Sequence, residues 1–172
     1  RFAADLSAPE ALSAAANALT AEHADKLVSL DPIISDLESE ARHADQDQAR
    51  TLLVAAAAMR ADGLGMGWIH FRVNASQLQN AIRLRIDPEG RLNLASQAAL
   101  VRMRELLAEV TPLKSNFAAL AIENSTAVRQ FLAMAQILGH IDADAPIRML
   151  VAECEEPTTI LAALYFARMF GI

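Results

Sequence analysis

Apolar residues recur at three- and four-residue intervals through most of the chain and alternate in only two short runs. That pattern predicts a mostly α protein with two β-strands. Ser7 and Glu10 have capping-box spacing and open a helix to about Thr20. Asp31-Pro32 opens a second, with the proline in its first position, running to about His43. A third runs from Asp47 to Ala61 and stops at Gly63. Its segment Leu52 to Met59 is apolar all round, which predicts burial on several sides. Nothing in these three helices specifies chemistry, and they read as scaffold.

The first alternating run, Trp68 to Val73, is rich in aromatic and β-branched residues and reads as a strand. It follows the glycines of Gly63-Leu64-Gly65-Met66-Gly67. A phosphate loop needs the strand before the glycines and a Lys-Ser/Thr after them, so these glycines read as a turn or close-packing device. Helical spacing resumes from Ser76 to about Leu84, Asp87 to Gly90 is a turn, and Asn93 caps a helix that reaches Val110 before Thr111-Pro112 ends it. A short helix spans Phe117 to Ile122, and Ser125 caps another through Ile141. Residues Ile141 to Pro146 lead into the second strand, Met149 to Ala152. That strand ends in acids, Pro157 opens the last helix and Gly171 closes it.

A strand, a run of helices and a second strand form a parallel pair joined by a crossover. Here the crossover is roughly 70 residues of helix, which suggests insertions built onto a sheet or barrel. Two strands alone do not make a stable open sheet. The expected fold is therefore mostly α with two parallel β-strands, a fragment of a helix-rich TIM-type α/β barrel whose other strands lie outside this chain. One piece is expected, with residues 1–66 as helical scaffold and 67–172 carrying the barrel strands, both belonging to a larger enzyme.

Composition narrows the function classes. Alanine supplies much of the apolar content and aromatics only 5%, in keeping with a helical chain. The longest apolar run, Leu52 to Met59, is far shorter than the ~20 residues a bilayer span needs. The N-terminal residues lack the apolar core of a signal peptide, so a cytoplasmic setting away from membranes is expected. A net charge of −6 argues against nucleic acid as the main partner. The single cysteine, Cys154, excludes an internal disulfide and a cysteine-rich metal site, and it has no basic neighbour to activate it.

Active sites of parallel α/β folds lie beyond the carboxyl ends of strands, so chemistry is sought there. On the first strand Ile69, Phe71 and Val73 share one face and Trp68, His70 and Arg72 the other. The apolar face is expected against helices and the polar face toward a barrel interior. A guanidinium there needs an anion, which is either a substrate carboxylate or phosphate or a structural partner such as Glu153. His70, deeper in the strand, reads as a hydrogen-bonded core histidine rather than a catalyst, and it is a candidate substrate contact. Glu153, Glu155 and Glu156 cluster before a helix N-terminus, where the dipole favours carboxylates and where Mg²⁺ would also find oxygen ligands. His23, His43 and His140 lack metal-ligand spacing, and the pairs Arg83/Arg85 and Arg102/Arg104 read as solvated charge.

With these residues in view, the chain resembles the phosphoenolpyruvate carboxylase family, as a divergent bacterial-type branch. Residues 149–172, MLVAECEEPTTILAALYFARMFGI, line up with the family's strand–helix unit, including Pro157, the Leu161-Ala162 pair and Gly171-Ile172. Residues 69–75, IHFRVNA, line up with the barrel strand whose arginine binds the substrate phosphate. His70, Val73 and Thr159 stand where the family usually has aspartate, glutamine and an acid. The resemblance implies a lyase that joins phosphoenolpyruvate and bicarbonate into oxaloacetate and phosphate with Mg²⁺ or Mn²⁺. It implies Arg72 as the catalytic and phosphate-binding residue, with His70 and Glu153 beside the substrate. It also implies a tetrameric homo-oligomer, and it puts the catalytic histidine before Arg1 and the metal ligands after Ile172. The chain alone is then expected to be inactive. The alternatives are another Mg²⁺-dependent barrel enzyme on a phosphorylated or keto-acid substrate, and a non-catalytic helical interaction module.

Overall fold

A computed structural model of the chain describes residues 7–65 and 67–172. Residues 1–6 and Met66, inside the glycine run, lie outside the described residues. The protein is mostly helical, with two parallel strands paired in the order β1-β2. No described helix is long and apolar enough to cross a membrane. The chain divides into two compact units, one holding residues up to Ile69 together with Ile137–Arg148, the other His70–Gln136 together with Met149–Ile172.

The first unit contains α1 (Pro9–Thr20), α2 (Asp31–Ala41) and α3 (Gln46–Asp62). The expected cap at Ser7 is displaced by one residue. Ala8 occupies the cap position and Pro9 opens the helix, because a proline supplies the helical φ and needs no partner for a missing N–H. At α3 the Asp45 carboxylate accepts from the backbone N–H groups of Asp47 and Gln48, at 3.1 and 2.9 Å. The expected many-sided burial of α3 is also corrected. Only Ala56 is buried, while Leu53 and Val54 are exposed. Ala56 and Met59 form one stripe that packs with Leu30, Ile34 and Leu37. The alanines favour the helix through propensity and do not require burial.

Two aspartates tie this unit together. Asp142 is fully buried and accepts from the backbone N–H groups of Leu64 and Asp144, both at 3.0 Å. Asp144 accepts from Leu30 N–H at 2.7 Å and from the Ser29 hydroxyl. The segment 141–146 thus clasps the start of α2 and the end of α3. Gly63, at φ 62°, is where the clasp closes: a Cβ there would lie 2.8 Å from the Asp142 carboxylate. At Gly63 the glycine run is the close-packing device its sequence suggests.

The second unit holds most of β1 (Ile69–Asn74), then α4 (Ala75–Ile86), α5 (Gln97–Glu109), α6 (Phe117–Ile122), most of α7 (Thr126–His140), most of β2 (Ile147–Ala152) and α8 (Pro157–Phe170). Phe131, Leu78, Ile82, Met103 and Phe166 are its large fully buried side chains. The Phe131 and Phe166 rings lie 5.6 Å apart, and Tyr165 meets Phe166 edge-on at 5.3 Å. Such pairs contribute roughly 0.5–1.5 kcal/mol each beyond the area they bury. The expected cap at Asn93 is corrected to Ser96, whose hydroxyl accepts from Ala99 N–H. Asn93 instead accepts from Ala95 N–H in a tight turn. Burial of Leu94, whose carbonyl accepts from the buried Thr158 hydroxyl at 3.0 Å, keeps residues 93–96 out of the helix. Ser125 caps α7 as expected, its hydroxyl accepting from Val128 N–H. Gly171, left-handed at φ 72°, closes α8 with the two backbone bonds of a Schellman turn.

The turn at Asp87 carries its own lock. Its carboxylate accepts from Leu92 N–H at 2.6 Å, Arg91 N–H at 3.0 Å and the Arg83 guanidinium at 3.2 Å. The Leu92 N–H above all holds the Asp87 carboxyl below the ordinary aspartate range. A carboxyl depressed by folding stabilises above its unfolded pKa, and that contribution is lost as pH falls through the folded value. Wild type is therefore expected to lose stability on acidification below about pH 4, where ordinary aspartates protonate. In Asp87→Asn this acid loss shrinks, which denaturant titrations at pH 7 and pH 3 would show as a smaller difference between the two. Separately, Gly63→Ala should cost about 1–3 kcal/mol through the left-handed φ and the crowded carboxylate; an unchanged denaturation midpoint would contradict the clasp.

Candidate functional site

Side-chain exposure along both strands alternates. In β1 Ile69, Phe71 and Val73 are shielded while His70 and Arg72 are exposed. In β2 Ile147, Met149 and Val151 are shielded while Arg148, Leu150 and Ala152 are exposed. Within the second unit the sheet therefore keeps an open face bearing His70, Arg72, Leu150 and Ala152. Parallel sheets are ordinarily covered on both faces. In the first unit Arg148 stacks on Trp68, its guanidinium carbon 3.5 Å from the ring centroid, a contact worth roughly 0.5–1 kcal/mol at an exposed position.

Arg72 sits two residues from the carboxyl end of β1. Among the described residues its guanidinium makes no ion pair or hydrogen bond. Its backbone carbonyl accepts from the Gln130 amide of α7, and the Gln130 Oε1 is buried with no partner among the described residues. Arg72, His70, Thr126, Arg129 and Gln130 line a hollow of about 440 Å³ with no described carboxylate on its wall. Because Arg72 is solvated here, the desolvation cost expected of an interior guanidinium does not arise. His70 is exposed and without a side-chain partner among the described residues, so it is not a hydrogen-bonded core histidine.

The two strand ends meet through a different pair. Asn74 caps α4, its Oδ1 accepting from Ser76 N–H at 2.9 Å, and Gln77 completes a capping box. The Asn74 Nδ2 donates to Glu153 Oε2 at 2.7 Å. Glu153 adopts φ 56°, a left-handed conformation uncommon for a residue with a side chain. Gln79 of α4 donates to the buried Thr159 hydroxyl of α8 at 3.0 Å. Asn74, Ser76, Gln79 and Glu153, with Glu155 and Glu156, line a polar hollow of about 530 Å³ beyond the strand ends. The N-termini of α4 and α8 both open there, so carboxylates meet favourable dipoles.

Of the two anions open to Arg72, a substrate group or a structural partner such as Glu153, the latter is bound instead to Asn74. Glu155 and Glu156 line the hollow, and among the described residues no group of three or more His, Cys, Asp or Glu is arranged to hold a metal ion. Cys154 is exposed. Asn74 and Gln130 are the residues that sequence reasoning missed. The first was legible in the Asn74-to-Gln77 capping-box spacing. The second acts across a separation that no local pattern reports.

No family model matches the chain, and neither curated proteins nor solved structures yield a match.

The strand-end lock makes its own test. Asn74→Ala removes both a helix cap and the Glu153 bond and should cost about 1–2 kcal/mol. Asn74→Asp keeps the cap but sets a carboxylate against Glu153, so its deficit should shrink as pH falls through the carboxylate range. Equal deficits for Asn74→Asp at pH 7 and pH 3.5 in denaturant titrations would show that the two ends do not interact.

Proposed function

We propose that this chain carries the phosphate-gripping strand of a carboxylase resembling phosphoenolpyruvate carboxylase, with Arg72 as the grip. The supporting observation is an exposed guanidinium near a parallel strand's carboxyl end, unpaired and lining a hollow without carboxylates. A planar fork of donors suits the oxygens of a phosphate better than a lone ammonium does. A non-catalytic helical module would pair Arg72 with a protein carboxylate, whereas the nearest expected partner, Glu153, is bound to Asn74.

In the proposed reaction a bicarbonate oxygen attacks phosphorus and the C–O–P bond breaks, leaving carboxyphosphate and the enolate of pyruvate. Carboxyphosphate then releases carbon dioxide and phosphate, and the enolate carbon takes up the carbon dioxide to give oxaloacetate. Negative charge builds on phosphate oxygens, which a fixed guanidinium stabilises without reorganising. Among the described residues no group of three or more His, Cys, Asp or Glu is arranged to hold the divalent cation that the resemblance implies, and the proposal for this chain is the phosphate role alone. The same reading makes β1 and β2 neighbours in a TIM-type barrel of a longer, homo-oligomeric cytoplasmic polypeptide.

In that longer polypeptide, Arg72→Ala should raise KM for phosphoenolpyruvate and cut kcat/KM at least tenfold, about 1.4 kcal/mol of transition-state binding. Coupled detection of oxaloacetate is the readout. Kinetics within twofold of wild type would reject the role, and a phosphorylated product other than free phosphate would redirect it to another barrel enzyme.

A further inference from the structure

Another hollow of the second unit is lined by none of the residues at the strand ends. It measures about 850 Å³ and opens between the ends of α4 and α8, the segment before α6 and the start of α7, within the range of pockets that hold drug-sized ligands. Its apolar lining includes Leu132 and Phe166, both buried, and Leu84 and Ile122, which are 71% and 78% exposed. Two strongly exposed apolar side chains thus border one concavity. The wall is held in place rather than loose: Leu113 N–H donates to the Met169 carbonyl at 2.7 Å, and the buried Gln136 amide donates to the Ser115 carbonyl at 3.1 Å.

Charge at the mouth selects the occupant. Arg85 and Lys114 both line the hollow, and neither has an ion-pair or side-chain hydrogen-bond partner among the described residues. The one acid on the wall, Glu123, already accepts from Ser125 N–H at 2.7 Å. Two unpaired cations beside an apolar trough run against a chain whose net charge is −6. We propose that this hollow binds a single-headed amphipathic carboxylate, its hydrocarbon on Leu84 and Ile122 above the buried floor of Leu132 and Phe166 and its head on Arg85 and Lys114. The inference stands independently of the carboxylase reading, because none of these residues lines the hollow of Arg72 or that of the strand ends.

Decanoate titrated into the chain, followed by methyl NMR, tests it. Saturable shifts are expected at Leu84, Ile122, Leu132 and Met169, with decanol binding at least tenfold more weakly and acetate producing no shift there. The Arg85→Gln/Lys114→Gln variant should lose at least tenfold in decanoate affinity while binding decanol as wild type does, which separates loss of the head contacts from misfolding. Leu84→Asp, at an exposed position, should abolish decanoate binding with the core methyl spectrum unchanged. Decanol binding as tightly as decanoate would overturn the proposal. So would a double variant within twofold of wild type, or shifts centred on Leu150 of the open sheet face.

Discussion

The parallel pairing of β1 with β2 is the constraint on which the site depends. It joins segments separated by the α4 to α7 crossover, and Asn74 reaches Glu153 across 79 positions. Closing so long a loop sounds expensive, but the entropic cost grows only as the logarithm of length, roughly 0.6 kcal/mol for each doubling. One well-packed aromatic contact in the Phe131, Tyr165 and Phe166 group is of that order. Long helical insertions are therefore tolerable between these strands, provided the helices bury their own faces. α4, α5 and α8 do so against one another.

The two units solve the problem of cohesion differently. The second relies on large apolar side chains, as its fully buried residues show. In the first, the buried cluster is small, centred on Leu30, Ile34 and Ala56, and carboxylates add further connections. A fully buried Asp142 is tolerated because backbone N–H groups of Leu64 and Asp144 meet it. Left unmet, a buried polar group of this kind costs about 1–3 kcal/mol or more. Acidity that reads in the sequence as a surface property is thus partly an internal fastening.

Local signals were legible where the decisive contacts are local. The Pro157 start, the Gly171 stop, the Ser125 cap, the Asp87 turn and the short helix at Phe117 all depend on neighbours within a few residues. The misreadings occur where a distant group decides. Asn93 and Ser96 are both competent caps, and the helix starts after Ser96, with Leu94 bound through its carbonyl to Thr158, 64 positions away. The alanine-rich run in α3 satisfies a pattern for burial, yet only one stripe of it meets α2. At the site, strand alternation put His70 and Arg72 on one face correctly. What Glu153 binds, and that Gln130 covers the Arg72 carbonyl, depends on pairings that exist only once the strands are joined.

The exposure of Arg72 bears directly on how such a grip would act. Two unit charges 4 Å apart attract by about 1 kcal/mol in bulk water and about 4 kcal/mol in the intermediate dielectric near a protein surface. An arginine in water therefore holds a phosphate only loosely, however well its fork matches. Strong binding would require that the open face be covered, which would also shield Leu150, 45% exposed in a strand that alternates cleanly. Parallel sheets meet that requirement by gaining further strands and a second covering layer. Shielding the face would remove Leu150 from water and raise the energy of an unpaired guanidinium together.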